Sequence, residues 1–309
     1  MNENIQVLMS TYNGEKYLRN QIDSILSQEN VNVSILVRDD GSEDGTLKIL
    51  EDYESKGQIK LIKGQNCGFI RSFLELIDSS DKSDFYAYAD QDDVWMPDKL
   101  ISGIERLKKE DTSKPLLYCT SLQRVNEDLK PLSVQSYPKL KLSIYSQLVR
   151  ERLAGCTFVL NKNLRDMLYG SSKLDLEYSH DSWTVLTCWA TGGKVVFDNS
   201  PHILFRRYGT NTSVDGGGLK KRIKHELRYF GKCRNQRFKA VKKLLDFRAD
   251  KIEGDNKVIL KSIRDYKTST RATFRLAFNT KLDCGIKMSN FITRIVICLL
   301  YTSPSPRDK

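Results

Sequence analysis

Phe85-Tyr86-Ala87-Tyr88-Ala89-Asp90-Gln91-Asp92-Asp93-Val94-Trp95-Met96-Pro97-Asp98-Lys99-Leu100 is the stretch on which the reading of this chain turns. Its first five residues form a short apolar and aromatic run, the pattern of a buried strand. Three acids follow almost at once, and Pro97 then sits where a helix would start, because its fixed φ suits a first turn and its missing N–H costs nothing there. A buried strand is therefore expected to deliver Asp90, Asp92 and Asp93 to its carboxyl end, just ahead of a helix. Carboxylates packed this closely repel one another unless a cation sits among them. Oxygen donors suit Mg²⁺ or Mn²⁺, ions that bind few protein carboxylates and complete their shell with substrate phosphates. The stretch thus reads as a metal–diphosphate site; the plainer alternative is an acidic turn with a helix cap.

Upstream, Ile5–Met9 reads as a strand, followed by the polar, turn-prone Ser10-Thr11-Tyr12-Asn13-Gly14-Glu15. A helix with Leu18, Ile22, Ile25 and Leu26 on one face comes next. Val33–Val37 is a second strand, running into Arg38-Asp39-Asp40-Gly41-Ser42 and a helix with Leu47, Ile49 and Leu50. Ile59–Lys63 is a third strand, and Ile70–Ile77 a helix. This alternation predicts an α/β fold with a mostly parallel sheet flanked by helices. Ligands in such sheets sit outside the carboxyl ends of the strands, so the loops at Thr11–Asn13, Asp39–Ser42 and Asp90–Asp93 should meet on one edge. No G-x-G-x-x-G follows the first strand and no G-x-x-x-x-G-K-[ST] occurs anywhere, which removes support for dinucleotide and P-loop sites. One of Asp39 and Asp40 is expected to contact ligand and Asp44 to be structural; Tyr12 can stack on a base or fill the sheet edge.

Downstream the pattern is less regular. Leu116–Thr120 and Ala154–Leu160 read as strands, the second with small residues at Gly155 and Cys156 where close backbone approach is needed. Tyr178-Ser179-His180-Asp181-Ser182-Trp183 precedes a helical pattern at Val185, Leu186 and Trp189. Asp181 is a candidate general base, since deprotonating a hydroxyl needs a carboxylate held close to it; it can equally cap the helix. His180 reads as an orienting or packing residue. Lys194–Phe197 and His202–Phe205 read as short strands, and Arg206 and Arg207 beyond them can supply cations to a diphosphate or belong to a solvated loop.

The chain has 309 residues and a net charge of +11. The charge is concentrated: 24 Lys and Arg against 8 Asp and Glu from Gly217 to the end, and 26 against 31 before it. The expected organisation is a catalytic domain over 1–216, a basic helical region over 217–300, and a tail over 301–309 that resembles appended, non-native sequence. Leu219, Ile223, Leu227 and Phe230 fall at helical spacing among Lys220, Lys221, Arg222, Lys224 and Arg228, which fits a solvated face, an anionic membrane surface or, less well, nucleic acid. The 7 cysteines form no C-x-x-C pair, so neither a disulfide framework nor a zinc site is expected. The chain runs directly into a strand, and no apolar run is long enough to span a bilayer. A cytoplasmic protein, peripheral to the inner face of the membrane, is the expectation.

With these residues in place, the chain resembles the inverting, family-2-type glycosyltransferases with the Rossmann-like, nucleotide-sugar-binding GT-A fold. The resemblance rests on Met9–Gly14, Arg38–Ser42, Asp90–Leu100 and His180-Asp181-Ser182-Trp183, in the family's order over about residues 5–210. The Asp-Gln-Asp-Asp-Val-Trp form is most similar to bacterial rhamnosyltransferases of cell-wall or capsular polysaccharide synthesis. The resemblance implies that Thr11, Tyr12 and Asn13 line the nucleotide, Asp40 binds the base, Asp90 the ribose region, and Asp92, with Asp93 beside it, a Mn²⁺ or Mg²⁺ ion on the donor diphosphate. It implies Asp181 as catalytic base and an acceptor side bordered by Gly155 and Cys156, with His180 and Trp183 in the same motif. The donor would be a dTDP- or UDP-sugar and the acceptor a glycan or lipid-linked glycan. One departure stands out: relatives often carry His where Phe205-Arg206-Arg207-Tyr208-Gly209 has Tyr208, and neutral tyrosine is a poor metal ligand. A nucleotidyltransferase would need a Gly-rich basic loop after the first strand, which Ser10–Glu15 lacks. A non-catalytic membrane or nucleic-acid scaffold is the remaining alternative.

Overall fold

The computed structural model describes residues 2–208 and 236–302. Seven elements alternate first: β1 (Glu3–Thr11), α1 (Leu18–Leu26), β2 (Val31–Asp39), α2 (Thr46–Ser55), β3 (Lys60–Lys63), α3 (Phe69–Ser79) and β4 (Phe85–Ala89). Then come β5 (Val94–Trp95), α4 (Lys99–Leu107), β6 (Leu116–Val125), β7 (Pro131–Val134), α5 (Ile144–Val149), β8 (Val159–Asn161), α6 (Lys162–Leu168), α7 (His180–Ala190) and β9 (Lys194–Arg206). Residues 236–247 are helical (α8), followed by α9 (Gly254–Asp265), α10 (Thr270–Ala277) and α11 (Lys287–Thr302).

The strands form one sheet in the order β3-β2-β1-β4-β8-β6-β9-β5, with β7 on the flank of β6. β1 pairs in parallel with β2 and β4, and β2 with β3, as the alternation predicts. β8 then joins β4 antiparallel, and β6 joins β9 parallel. β4 lies between β1 and β8 and is buried on both faces: each of Phe85, Tyr86, Ala87, Tyr88 and Ala89 is at most 7 % exposed. That is why the strand reads as a continuous apolar run rather than an alternation. Burial of each large apolar side chain here contributes about 1.5–3 kcal/mol. The two tyrosine hydroxyls are partnered: Tyr86 donates to Asp81 O at 2.9 Å, and Tyr88 shares a 3.0 Å bond with Thr184 Oγ1. The second bond ties the central strand to α7.

Four local expectations change. Ala154–Leu160 is not one strand: Gly155–Thr157 forms a 3₁₀ turn, closed by Thr157 Oγ1 donating to Ala154 O at 2.7 Å, and only Val159–Asn161 pairs. The two short strands near residue 200 are a single β9 whose pairing with β6 shifts register around Thr120–Gln123, which absorbs the polar interruption at Asp198–Ser200. α4 begins at Lys99, two residues past Pro97. α11 continues without interruption to Thr302, taking in the first two residues of the expected tail.

The chain divides into two compact units. The first holds the sheet: Met1–Ser136, Leu153–Cys188 and Gly193–Asn211. The second comprises Tyr137–Arg152, Trp189–Gly192 and the chain after Asn211. The segment around α5 thus lies with the helical unit, although sequence places it within 1–216. Within that unit Arg237, 6 % exposed, donates to Leu148 O at 2.8 Å and Val149 O at 3.2 Å, closing the C-terminus of α5. The basic helical pattern of 219–230 and the tail beyond Thr302 lie outside the described residues.

Candidate active site

The carboxyl ends of β1, β2 and β4 are laced together by their own polar side chains. Thr11, fully buried, donates to Asp39 Oδ1 at 3.0 Å. Asp39 also accepts from Ser42 Oγ at 2.6 Å and Ser42 N at 2.9 Å. Asn13 adopts a left-handed backbone (φ 49), and its amide bridges the loops: Asn13 N donates to Ser42 Oγ, and its Oδ1 accepts from Glu43 N, both at 2.9 Å. Gln91 clamps the β4 loop to the β1 loop, accepting from Tyr12 N at 2.8 Å and donating to Tyr12 O at 3.0 Å. Gly14 makes room for this clamp: a Cβ there would stand 2.4 Å from Gln91 Oε1. Asp44 takes Thr46 N at 2.9 Å and Glu15 N at 3.2 Å, a structural role as expected.

Asp40 is also turned inward. It is 2 % exposed, pairs with Arg38, and accepts from Cys67 N and Gly68 N, both at 2.9 Å. Burial alone would raise its carboxyl; the bonds from Cys67 N–H and the Arg38 guanidinium outweigh that and hold it below the usual carboxylate range. Its geometry therefore fixes the start of α3, and both oxygens are engaged before any base arrives. Arg38, itself 4 % exposed, reaches Glu75 at 2.8 Å as well.

Asp90, Asp92 and Asp181 are the acids left partly open to solvent. Burial, followed by the charges of Asp92 and Asp181, pushes Asp90 up to about 7, so the acids delivered by β4 and α7 are near enough to feel one another's charge. Tyr12, 44 % exposed, borders the β1 end of the same edge. Asp181 opens α7 and accepts from the following Ser182 N at 2.7 Å. Gly155 allows this placement: a Cβ there would lie 3.0 Å from both Asp181 Cβ and His180 Nε2.

Asp90 also groups with two residues that are buried, Asp93 and Cys156. Asp90, Asp93 and Cys156 each bring a ligand atom within 4.8 Å of one another. Asp93 is fully buried; its Oδ1 accepts from Arg206 N at 3.1 Å, and its Oδ2 has no partner among the described residues. Burial drives Asp93 and the Cys156 thiol well upward. Sulfur is a soft donor and a poor match for a hard cation, whereas the carboxylate oxygens of Asp90 and Asp93 suit Mg²⁺ or Mn²⁺. Lys99, which the motif contains but sequence gives no role, is fully buried here with its Nζ 3.6 Å from the Trp95 ring centroid and without a hydrogen-bond partner among the described residues. Burial pulls its ammonium down to about 7, against the attraction of Cys156, Asp93 and Asp90. Its signal in sequence is weak: a lysine on the buried stripe Lys99-Leu100-Gly103-Ile104-Leu107 of α4.

Several expected ligand contacts turn out to be framework. Arg206 is 2 % exposed; it donates to Asp92 O at 2.9 Å and to Glu127 O, and its guanidinium lies 4.3 Å from the Tyr17 ring centroid. It holds the acidic loop and is enclosed before a diphosphate could reach it. Arg207 N donates to Val125 O at 2.8 Å, which fixes its backbone at the end of the sheet and leaves a diphosphate role for its side chain open as a proposal. Trp183 is fully buried with its Nε1 on Ser171 Oγ at 2.9 Å, so it anchors α7 in the core and does not face an acceptor. His180 is 7 % exposed, stacked on Phe73 at 3.9 Å and edge-on to Tyr88 and Phe69, which is the packing role read for it. Tyr208 donates to Asp92 Oδ2; burial and that bond raise its own pKa, so it stays protonated and orients the carboxylate. Beside His180, Phe69, Arg71, Leu74, Leu174 and Leu176 line part of a cavity of about 330 Å³.

Residues 6–156 match the family described as Glycosyl transferase family 2. An uncharacterized glycosyltransferase of Rickettsia prowazekii is 28 % identical over 240 residues, 72 % of this chain and 74 % of that protein. The dTDP-rhamnosyl transferase RfbG of Shigella flexneri is 25 % identical over 258 residues, 78 % of this chain and 85 % of its own. Among solved structures, S. aureus TarS 1-349 in complex with UDP-GlcNAc superposes with a TM-score of 0.59 at 13 % identity, covering 97 % of this chain and 82 % of that one. GalNAc-T7 with UDP, GalNAc and Mn²⁺ gives 0.56 at 13 % identity, covering 80 % and 54 %. These two show the fold, a GT-A type sheet flanked by helices.

Proposed function

With a glycosyl transferase family 2 domain at residues 6–156, the chain belongs to the glycosyltransferases that draw a sugar from a nucleotide-sugar donor, and we propose that this sugar is rhamnose carried by dTDP. The acceptor is a hydroxyl of a growing cell-surface polysaccharide or lipid-linked glycan, and transfer inverts the anomeric carbon. The observation that carries the reading is the convergence of Asp90, Asp92 and Asp181 at the carboxyl edge of the sheet, beside the exposed Tyr12. The rhamnosyl preference draws its support from the likeness to RfbG.

In this mechanism Tyr12 stacks on the base of the donor. Asp90, Asp92 and Asp93 would hold a divalent cation with the donor diphosphate, with Tyr208 orienting Asp92. Such a cation, when bound, supplies positive charge against the charge that grows on the departing diphosphate. Asp181 takes the proton of the acceptor hydroxyl as that oxygen attacks the anomeric carbon from the face opposite the leaving group. One displacement forms the new C–O bond and breaks the old one, without a covalent sugar–enzyme intermediate. The cavity flanking His180 borders the acceptor side.

The test is product analysis. Incubation with dTDP-rhamnose and with a set of UDP-sugars, followed by ¹H NMR of the transferred anomer, is expected to give transfer from dTDP-rhamnose with inverted configuration. Transfer only from a UDP-hexose would replace rhamnose as the sugar, and retained configuration would remove Asp181 as the base.

A further inference from the structure

α10 and α11 pack on one another, and each presents a second, outward face that is apolar. On α10 and the residue after it, the exposed positions are Thr270, Arg271, Phe274, Arg275 and Phe278, spaced as one helical face. Ala272, Thr273 and Leu276 occupy the buried side. Phe274 and Phe278 are 62 % and 76 % exposed, and their rings stack at 6.0 Å. On α11, Met288, Phe291 and Ile295 fall at spacings of three and four and are 41 %, 61 % and 38 % exposed, while Ser289, Ile292, Thr293 and Ile297 are buried. Lys287, exposed, borders this second stripe, while the Arg294 guanidinium turns inward to Asn279 O at 3.5 Å. A soluble helix needs one apolar face. These helices carry two, and the outward one is built of phenylalanines rimmed by cations.

We propose that the outward faces of α10 and α11 form an attachment surface for an anionic lipid bilayer, with Phe274, Phe278 and Phe291 entering the interface and Arg271, Arg275 and Lys287 meeting the headgroups. Large apolar side chains beside basic ones are the composition of helices that lie in a membrane interface, and each nearby cation adds to attraction for anionic headgroups. The charge favours lipid over a neutral partner: the chain from Gly217 onward carries 24 Lys and Arg against 8 Asp and Glu. The acids near this surface are already engaged: Asp283 accepts from Gly285 N at 2.7 Å and Asn290 Nδ2 at 2.7 Å, and Asp255 lies 3.7 Å from Lys281. Among the described residues no helix is long and apolar enough to cross a membrane, so attachment here is to the surface. This surface is independent of the donor-site reading.

The experiment is co-sedimentation of the full chain with vesicles of phosphatidylcholine alone and with phosphatidylglycerol added, at low and high salt. The comparison is the Phe274→Ser/Phe278→Ser/Phe291→Ser variant, with far-UV circular dichroism and a thermal melt confirming that it is folded. The expected result is binding to the phosphatidylglycerol vesicles that weakens with salt and falls at least tenfold in the variant. A second variant, Arg271→Gln/Arg275→Gln, is expected to lose the lipid-charge dependence while keeping its fold. Binding that is absent, or equal in wild type and the triple variant, overturns the proposal. So does a wild-type dimer that the triple variant makes monomeric, since the face would then be covered by a second copy.

Discussion

Replacing Gly155 by alanine tests how tightly the base is held. The new Cβ would stand 3.0 Å from Asp181 Cβ and 3.0 Å from His180 Nε2, whereas relaxed contacts between carbon atoms lie at about 3.5–4.0 Å. Something must therefore yield by a few tenths of an ångström. The imidazole has little room to move, because it stacks on Phe73 at 3.9 Å and meets the edge of Tyr88 at 5.4 Å. The displacement falls on Asp181. Overpacking of this kind costs about 1–3 kcal/mol, which for a domain of this size lowers Tm by about 2–4 °C per kcal/mol. A misplacement of about 1 Å at a reacting group can cost 10²-fold in rate. A shift of a few tenths of an ångström costs less, so the Gly155→Ala enzyme is expected to turn over about 3–10 times more slowly by nucleoside diphosphate release, with donor Kd by calorimetry changed less than about twofold. An unchanged kcat in a variant whose Tm has fallen would refute the reasoning, because Asp181 would then tolerate a shift that a base in contact with its substrate cannot.

Other perturbations separate framework from chemistry. Asp181→Asn should bind donor normally and lose about 10²–10⁴-fold in kcat, measured in single turnover. Gln91→Ala removes both bonds to the Tyr12 backbone and should cost about 1–3 kcal/mol in urea unfolding while weakening donor binding. Asp40→Asn should cost about 3 kcal/mol at neutral pH, because it breaks a buried pair with Arg38. Since the folded Asp40 carboxyl is depressed, its contribution is present above the ordinary carboxylate range and is lost as pH falls through the folded value. The gap between wild type and Asp40→Asn should thus narrow in melts below about pH 4; a gap that widens there would show that the pair is not what stabilises the loop.

The alternation of apolar runs and amphipathic helices from Ile5 to Ala89 was enough to read the parallel half of the sheet, because β1, β2 and β4 carry continuous buried runs and each helix has one apolar face. The second half was less legible for a physical reason. β8 pairs through three residues only, and β9 crosses a register shift, so neither leaves a clean period-two pattern. The site's location was legible, since polar loops at parallel strand ends must meet. Roles within it were not: Thr11, Asp39, Asp40 and Arg206 are the residue types expected to touch a nucleotide, but their side chains are spent on one another, as Thr11–Asp39 and Arg206–Asp92 illustrate. Sequence supplies the donors and acceptors; only packing decides which of them face outward. Lys99 was missed because a buried lysine beside carboxylates looks, in one dimension, like an ordinary helix-start lysine.

The most direct test of the donor-site assignment is thermal stabilisation by dTDP and UDP, with and without Mn²⁺, in wild type, Asp92→Asn and Asp181→Asn. A ligand at 100 times its Kd stabilises the folded state by about 2.7 kcal/mol. A metal-dependent rise in Tm is expected in wild type and Asp181→Asn and is expected to vanish in Asp92→Asn, with dTDP favoured over UDP. A rise that is the same in all three proteins, or no rise with any diphosphate, would contradict the assignment of the acidic edge as the donor site.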